Sequence, residues 1–76
     1  MSEWEGDLDD DCFLKRYGYF AHVECMDTNV WWFAIYKDKK DIYNSSEMQT
    51  VVRLSSGNIA RIVAEHCIEM AVINKL

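Results

Sequence analysis

Proline is absent from this sequence, glycine occurs only three times, and no apolar run approaches the about 20 residues that a membrane-spanning helix requires. The first residues carry acidic side chains and lack the basic region of a signal peptide. Cysteine occurs three times, an odd count that argues against a disulfide framework within one chain. These absences predict a cytoplasmic protein with reduced thiols and no membrane segment.

Negative charge is concentrated at the start of the chain. Residues 1–12 carry six acidic and no basic side chains, whereas residues 13–76 carry eight basic and seven acidic ones. We expect one domain, residues 1–76, with an acidic N-terminal segment (1–12) and a globular body (13–76). The acidic segment fits either a solvated tail or the start of a short helix, with Asp7 as its N-cap and Gly18 at its end.

The globular body has the pattern of strands followed by a helix. Residues 19–25 and 30–37 are rich in aromatic and β-branched side chains and flank a turn at 26–29, which predicts a β-hairpin. A second turn at 38–41 and a third strand at 42–45 follow, and 46–54 is a connection that can include another short strand. Residues 55–58 then offer a cap for a helix from 59 to about 74. The predicted fold class is α+β, a three-stranded antiparallel sheet packed by a long C-terminal helix.

The pairing within the hairpin decides which side chains face the helix. A four-residue loop places Cys25 opposite Val30 and Val23 opposite Trp32, so that Trp32 lies beneath the helix. The helix side that faces the sheet is expected to be an arc with alanines alongside: Ile59, Ile62, Val63, Cys67, Met70 and Ile73, next to Ala60, Ala64 and Ala71. A loop that differs by one residue would exchange the faces of one strand.

Two apolar surfaces remain after this core is built. The sheet face away from the helix would show Phe20, Trp31, Phe33 and Ile35, and the outer side of the helix would show Ile68, Val72 and Leu76. We predict that these seven side chains bind a protein partner. A chain of 76 residues has little stability in reserve, which favours a homo-oligomer or a bound partner.

The residue types needed for catalysis or metal binding lack the required spacing. His22 and Cys25 are three apart on a strand and point to opposite faces, while His66 and Cys67 diverge on a helix, so neither pair forms a zinc clip. The aspartates from Asp7 to Asp11 lack the glycine and glutamate of a calcium loop. We therefore expect no cofactor, no metal and no enzymatic activity.

Two resemblances bear on function. If the acidic segment forms a helix, the order helix, three strands, helix resembles the double-stranded-RNA-binding domain. The start of the last helix, however, carries only one basic residue, Arg61, and the chain has a net charge of −5. Both features disfavour binding of nucleic acid. Residues 31–36, 42–46 and a serine-capped helix with Ala60-Arg61 and Ala64-Glu65 resemble small β-β-β-α accessory proteins of bacteriophages and prophages. That resemblance covers residues 18–72 and implies a cytoplasmic protein that acts by binding.

The leading hypothesis is thus a non-catalytic interaction module that associates with itself or with another protein. The alternative is an acidic effector that occupies a basic, nucleic-acid-binding surface of a host or regulatory protein. Its six acidic side chains are Glu3, Glu5, Asp7, Asp9, Asp10 and Asp11. Burial would drive binding in the first case and charge in the second, so the two differ in their sensitivity to salt.

Overall fold

The computed structural model describes residues 3–45 and 54–76. Residues 3–45 form a five-stranded antiparallel sheet in the order β1-β2-β3-β4-β5, and a single helix covers one side of it. The elements are β1 (Glu5–Gly6), β2 (Asp11–Arg16), β3 (Tyr19–Asp27), β4 (Val30–Lys37), β5 (Lys40–Asn44) and α1 (Gly57–Ile73). The α+β class is consistent with this, but the prediction of a three-stranded sheet is wrong. The predicted connection at 46–54 lies outside the described residues except for Leu54.

The two additional strands are β1, which lies within the acidic N-terminal segment, and β2, which begins at the last two residues of that segment. Asp7 caps a turn here and not a helix, because its Oδ1 accepts the backbone N–H of Asp9 at 2.9 Å and its carbonyl accepts that of Asp10 at 3.1 Å. Tyr17 and Gly18, with φ of 55° and 82°, form a two-residue connection between β2 and β3. Both N-terminal alternatives, a solvated tail and a helix, are therefore wrong for the described residues.

The pairing of β3 with β4 differs by one residue from the predicted register. Val23 lies opposite Phe33, and Cys25 opposite Trp31, with a bulge between Cys25 and Asp27. Such a bulge adds a residue to one strand. Because side chains alternate along a strand, this shift exchanges the two faces of β4 relative to β3.

Helix α1 begins where the sequence predicts a cap. The Ser56 side chain accepts the backbone N–H of Ile59 at 3.2 Å, as an N-cap does. The buried side of the helix, however, is made of small residues together with Ile68: Gly57, Ala60, Ala64, Cys67, Ile68 and Ala71. Ile62 and Ile73 are 58% and 71% exposed, so the predicted arc is rotated away from the observed one.

The core accounts for this rotation. Large side chains of the sheet fill the layer between sheet and helix, and small helix residues let the two backbones approach closely. The sheet contributes Cys12, Leu14, Tyr19, Ala21, Val23, Phe33 and Ile35, all of them buried. The Tyr19 hydroxyl donates to the carbonyl oxygen of Ala71 at 3.3 Å and to that of Leu76, which fixes the end of the helix to β3.

Candidate protein-interaction face

The exchange of faces relocates most of the predicted binding residues on the sheet. Phe33 and Ile35 are 1% and 0% exposed beneath the helix, and Trp31 packs against the same core. Their placement on an open face is wrong, because the bulge after Cys25 turns them inward. Phe20 lies on the side away from the helix, as predicted, and is half-buried.

The predicted outer stripe of the helix is also corrected in part. Ile68 is fully buried against the sheet, since it lies on the same side of α1 as Ala64 and Ala71. Val72 and Leu76 are 42% and 45% exposed, so these two remain available at the surface.

The sheet side away from the helix carries a continuous group of aromatic rings, which we call the aromatic face. Its members come from three neighbouring strands: Phe13, Phe20, His22, Trp32 and Tyr36. Phe13 stacks on Phe20 with centroids 5.6 Å apart and on His22 at 4.8 Å. Tyr36 lies 6.4 Å from Phe20, and Trp32 meets His22 edge-on at 5.5 Å. These are the separations at which aromatic pairs attract each other beyond simple burial.

Hydrogen bonds hold two of these rings in place. His22 Nε2 pairs with Asp11 Oδ1 across β2 and β3. The Trp32 indole N–H donates to Asn44 Oδ1 at 2.9 Å, and the Asn44 amide in turn donates to Asp41 at 3.1 Å. The Trp32 indole N–H and the His22 Nε2 therefore have partners within the chain, which leaves the apolar surfaces of the rings to contact a binding partner.

Carboxylates alternate with the rings across the strands. Glu5 is the cross-strand partner of Phe13, Glu24 of Trp32, and Asp41 of Tyr36. Burial, and then the charge of Asp41, raises the pKa of the Tyr36 hydroxyl. Lys15, opposite Phe20, is the one basic residue that the register of β1 to β3 places on this side. The aromatic face is thus predominantly acidic.

A depression opens at the β1 end of the aromatic face. It is lined by Glu3, Glu5, Phe13, Lys15 and Phe20 and has a volume of about 280 Å³. Arg16 connects this edge of the sheet to the helix, because its guanidinium forms salt bridges with Glu3 at 3.0 Å and with Glu65 of α1 at 3.0 Å. The Glu3 contact raises the pKa of Arg16.

Within the described residues, the cysteines and histidines do not form a common cluster. Cys12 and Cys67 are buried, and burial raises the pKa of both thiols, with Arg61 partly opposing the shift at Cys12. Cys25 is partly exposed, and its Sγ donates to the Asp27 carbonyl at 3.3 Å. In residues 3–45 and 54–76, no three histidine, cysteine or acidic side chains converge on a common point.

Sequence reasoning missed Phe13 and placed Trp32 and Tyr36 on the buried side. The signal for Phe13 lay in residues 12–14, a short apolar run between Asp11 and Lys15 that fits a strand as well as a helix. The acidic residues before this run also fit a helix start, and that interpretation obscured the strand.

Comparisons with known proteins found no matching family model, no similar curated protein and no similar solved structure. In the described parts of the chain, α1 is the only helix, and it is too short and too polar to cross a membrane.

Proposed function

We propose that this protein is a non-catalytic interaction module whose aromatic face binds a protein partner rich in basic side chains. The observation that carries the proposal is the pairing of three rings with carboxylates across the strands. A guanidinium or ammonium group gains from both neighbours, because it is attracted to the ring face and to the carboxylate. Apolar parts of the same partner would cover the remaining ring surface.

The charges on this surface favour a basic protein over nucleic acid. Stacked rings on a sheet can hold single-stranded bases, but such sites combine the rings with a positively charged groove. Here Glu5, Glu24 and Asp41 lie beside the rings, and they would repel a phosphate backbone. Binding of an oligonucleotide in preference to a basic peptide would contradict the proposal.

A second candidate function, the acidic effector, is supported by the segregation of charge along the strands. Asp7, Asp9 and Asp10 occupy the exposed β1–β2 turn, whose Asp10 carbonyl accepts the backbone N–H of Cys25 at 2.7 Å. Glu24 and Asp27 lie at that same end of the sheet. The opposite end carries most of the described basic residues: Lys15, Arg16, Lys37, Lys39 and Lys40. A basic surface of another protein could bind this acidic end without using the aromatic face.

The three free thiols, two of them buried, fit a reducing compartment, so we place the module in the cytoplasm. An origin in a bacteriophage or prophage stays a prediction from the resemblance alone.

Titration with designed peptides, followed by amide and indole resonances, tests the proposal. The probe is a peptide with alternating arginine and leucine, and the matched peptide carries neutral citrulline in place of arginine. We expect the arginine peptide to shift the resonances of Phe13, His22 and Trp32. Trp32→Ala should weaken binding about tenfold or more, as loss of a central aromatic anchor does. Tyr17→Ala, which removes a ring that is 70% exposed at the β2–β3 turn, is the control.

Three results separate the alternatives. Equal binding of both peptides at the aromatic face would show an apolar site without charge selection. Shifts confined to residues 7–11 and 24–27, abolished by Asp7→Asn with Asp9→Asn and by moderate salt, would favour the acidic effector. Shifts confined to α1, or no shift with either peptide, would contradict the aromatic face as a binding site.

A further inference from the structure

Helix α1 carries a second apolar surface, on the side away from the sheet, which we call the helix stripe. Its members are Ile59, Ile62, His66, Met70 and Ile73. At 100° per residue they fall within an arc of about 80°. Ile62 is 58% exposed, Ile73 71% and Met70 39%, so the helix stripe is more exposed than the aromatic face. Within the described residues no element covers it.

The spacing of the helix stripe is symmetric about His66. The intervals along the chain are three, four, four and three residues, so Ile62 and Met70 lie at equal distances on either side, as do Ile59 and Ile73. Two such helices placed antiparallel, with a two-fold axis at His66, would bring Ile59 of one copy against Ile73 of the other. Ile62 would meet Met70 in the same way. A two-fold contact between identical surfaces requires this self-complementarity.

A depression lies beside the midpoint of the helix stripe and shares Ile62 and His66 with it. It is lined by Ile62, Glu65, His66 and Glu69, which are spaced i, i+3, i+4 and i+7. This is the arrangement of four residues around the hole that receives one side chain in knobs-into-holes packing. In the antiparallel alignment the side chain that reaches this hole is His66 of the second copy.

Hydrogen-bond complementarity favours the same occupant. Glu65 is already paired with Arg16 at 3.0 Å, whereas Glu69 makes no ion pair within the described residues. Glu69 is therefore available to accept an imidazole N–H from His66 of the second copy, and the two-fold axis makes this contact twice. The groups that face His66 are Glu65 and Glu69 of its own helix and the same residues of the second helix.

We propose that α1 pairs antiparallel with α1 of a second copy across a two-fold axis at His66. The helix stripe spans about 21 Å at 1.5 Å per residue, and two helices in contact over that length bury less than the about 1,200 Å² of a standard interface. The dimer should therefore dissociate at micromolar concentrations. This proposal is independent of the proposed function, because it uses the opposite side of the molecule.

Sedimentation equilibrium over a wide concentration range tests the pairing. We expect a monomer–dimer equilibrium, weakened about tenfold or more by Ile62→Lys, which introduces a charge into the interface. Met26→Lys is the matched control, because Met26 is 59% exposed against 58% for Ile62 and lies near the end of β3, away from the helix stripe. Circular dichroism establishes that both variants are folded. A monomer at every concentration, or equal effects of the two variants, would overturn the proposal.

Disulfide trapping then tests the orientation. In a Cys25→Ser background, His66→Cys should form a covalent dimer, because only a residue at the two-fold axis faces its own copy. Helix axes about 8–10 Å apart bring facing Cα atoms within disulfide range. Ile59→Cys should form no dimer alone but a mixed dimer with Ile73→Cys. Self-trapping of Ile59→Cys would indicate parallel helices, and loss of the dimer in Trp32→Ala would assign it to the aromatic face; either result would contradict the proposal.

Discussion

The indole ring of Trp31 lies directly against the backbone of Gly57, so that a Cβ on residue 57 would be 2.7 Å from Cη2 of the ring. The backbone N–H of Trp31 also donates to the Leu54 carbonyl at 3.0 Å. These contacts position the first residue of α1 over the start of β4. The absence of a side chain at residue 57 is therefore a packing requirement.

Gly57→Ala should destabilise the protein, although alanine is the better helix former by about 1 kcal/mol. The added methyl group would also be 2.9 Å from Arg61 Nη1, so the ring and the guanidinium would both have to move. We expect a loss of about 1–3 kcal/mol in the free energy of unfolding, measured with urea. Asn58→Ala, at the next and exposed position, is the control and should change it by less than about 0.5 kcal/mol. A Gly57→Ala variant more stable than the parent would refute the contact.

Truncation of the two adjacent tryptophans should destabilise the protein to different extents. Trp31→Ala removes a ring packed on the core and on Gly57, and should cost about 3 kcal/mol or more. Trp32→Ala removes a ring of the aromatic face and one hydrogen bond to Asn44, and should cost about 1 kcal/mol. Thermal unfolding of both variants measures the difference. The reverse order would mean that β4 is paired in the register expected from sequence.

Tyr19→Phe should loosen the end of α1. The variant keeps the buried ring but loses the hydroxyl that donates to the Ala71 and Leu76 carbonyls. We expect a loss of about 1–2 kcal/mol, with faster hydrogen exchange confined to the last helical turn and the adjoining part of β3. Tyr17→Phe, at an exposed ring, should change neither quantity. Uniform exchange rates in the Tyr19→Phe protein would contradict this anchoring role.

One thiol should react rapidly in the native protein. Cys25 is partly exposed, whereas Cys12 and Cys67 are buried with raised thiol pKa values. Alkylation should therefore modify Cys25 first in the native protein and all three thiols after unfolding, as measured by mass spectrometry.

The circular-dichroism spectrum of the protein should be unchanged by a reductant or a chelator. A loss of signal with the reductant would reveal a disulfide, and a loss with the chelator would reveal a bound metal.

Stability should decrease under alkaline conditions. Burial raises the pKa of Cys67 above its ordinary value of 9.0, so the unfolded chain releases this proton at lower pH than the native protein does. The stabilisation is complete below about pH 9 and is lost as pH rises through the native pKa. Urea unfolding should give a lower free energy of unfolding at pH 10 than at pH 8. The decrease between the two pH values should be smaller for Cys67→Ala than for the parent protein. Equal losses would assign the effect to Cys12 and Tyr36, whose pKa values are also raised.

Local features of the chain could be predicted because they depend on neighbouring residues. Ser56 caps α1 within the predicted cap at 55–58. A turn also lies within the predicted 38–41, but it comprises only Asp38 and Lys39, both with positive φ, because β5 begins at Lys40 and not at 42. A helix cap, a short turn and a strand rich in β-branched and aromatic residues are each set by side chains within a few positions. The sequence by itself therefore determined the helix, the β3–β4 hairpin and the presence of a sheet face rich in aromatic residues.

The tertiary structure alone decided which aromatic residues form that face. A single extra residue at the bulge after Cys25 turns Phe33 inward and Trp32 outward, and local propensity does not distinguish the two registers. Long-range packing likewise determined that the alanine side of α1 faces the sheet and that the acidic N-terminal segment contributes strand residues to the sheet. In each case the local sequence is compatible with both alternatives, and the burial of one complete core selects between them.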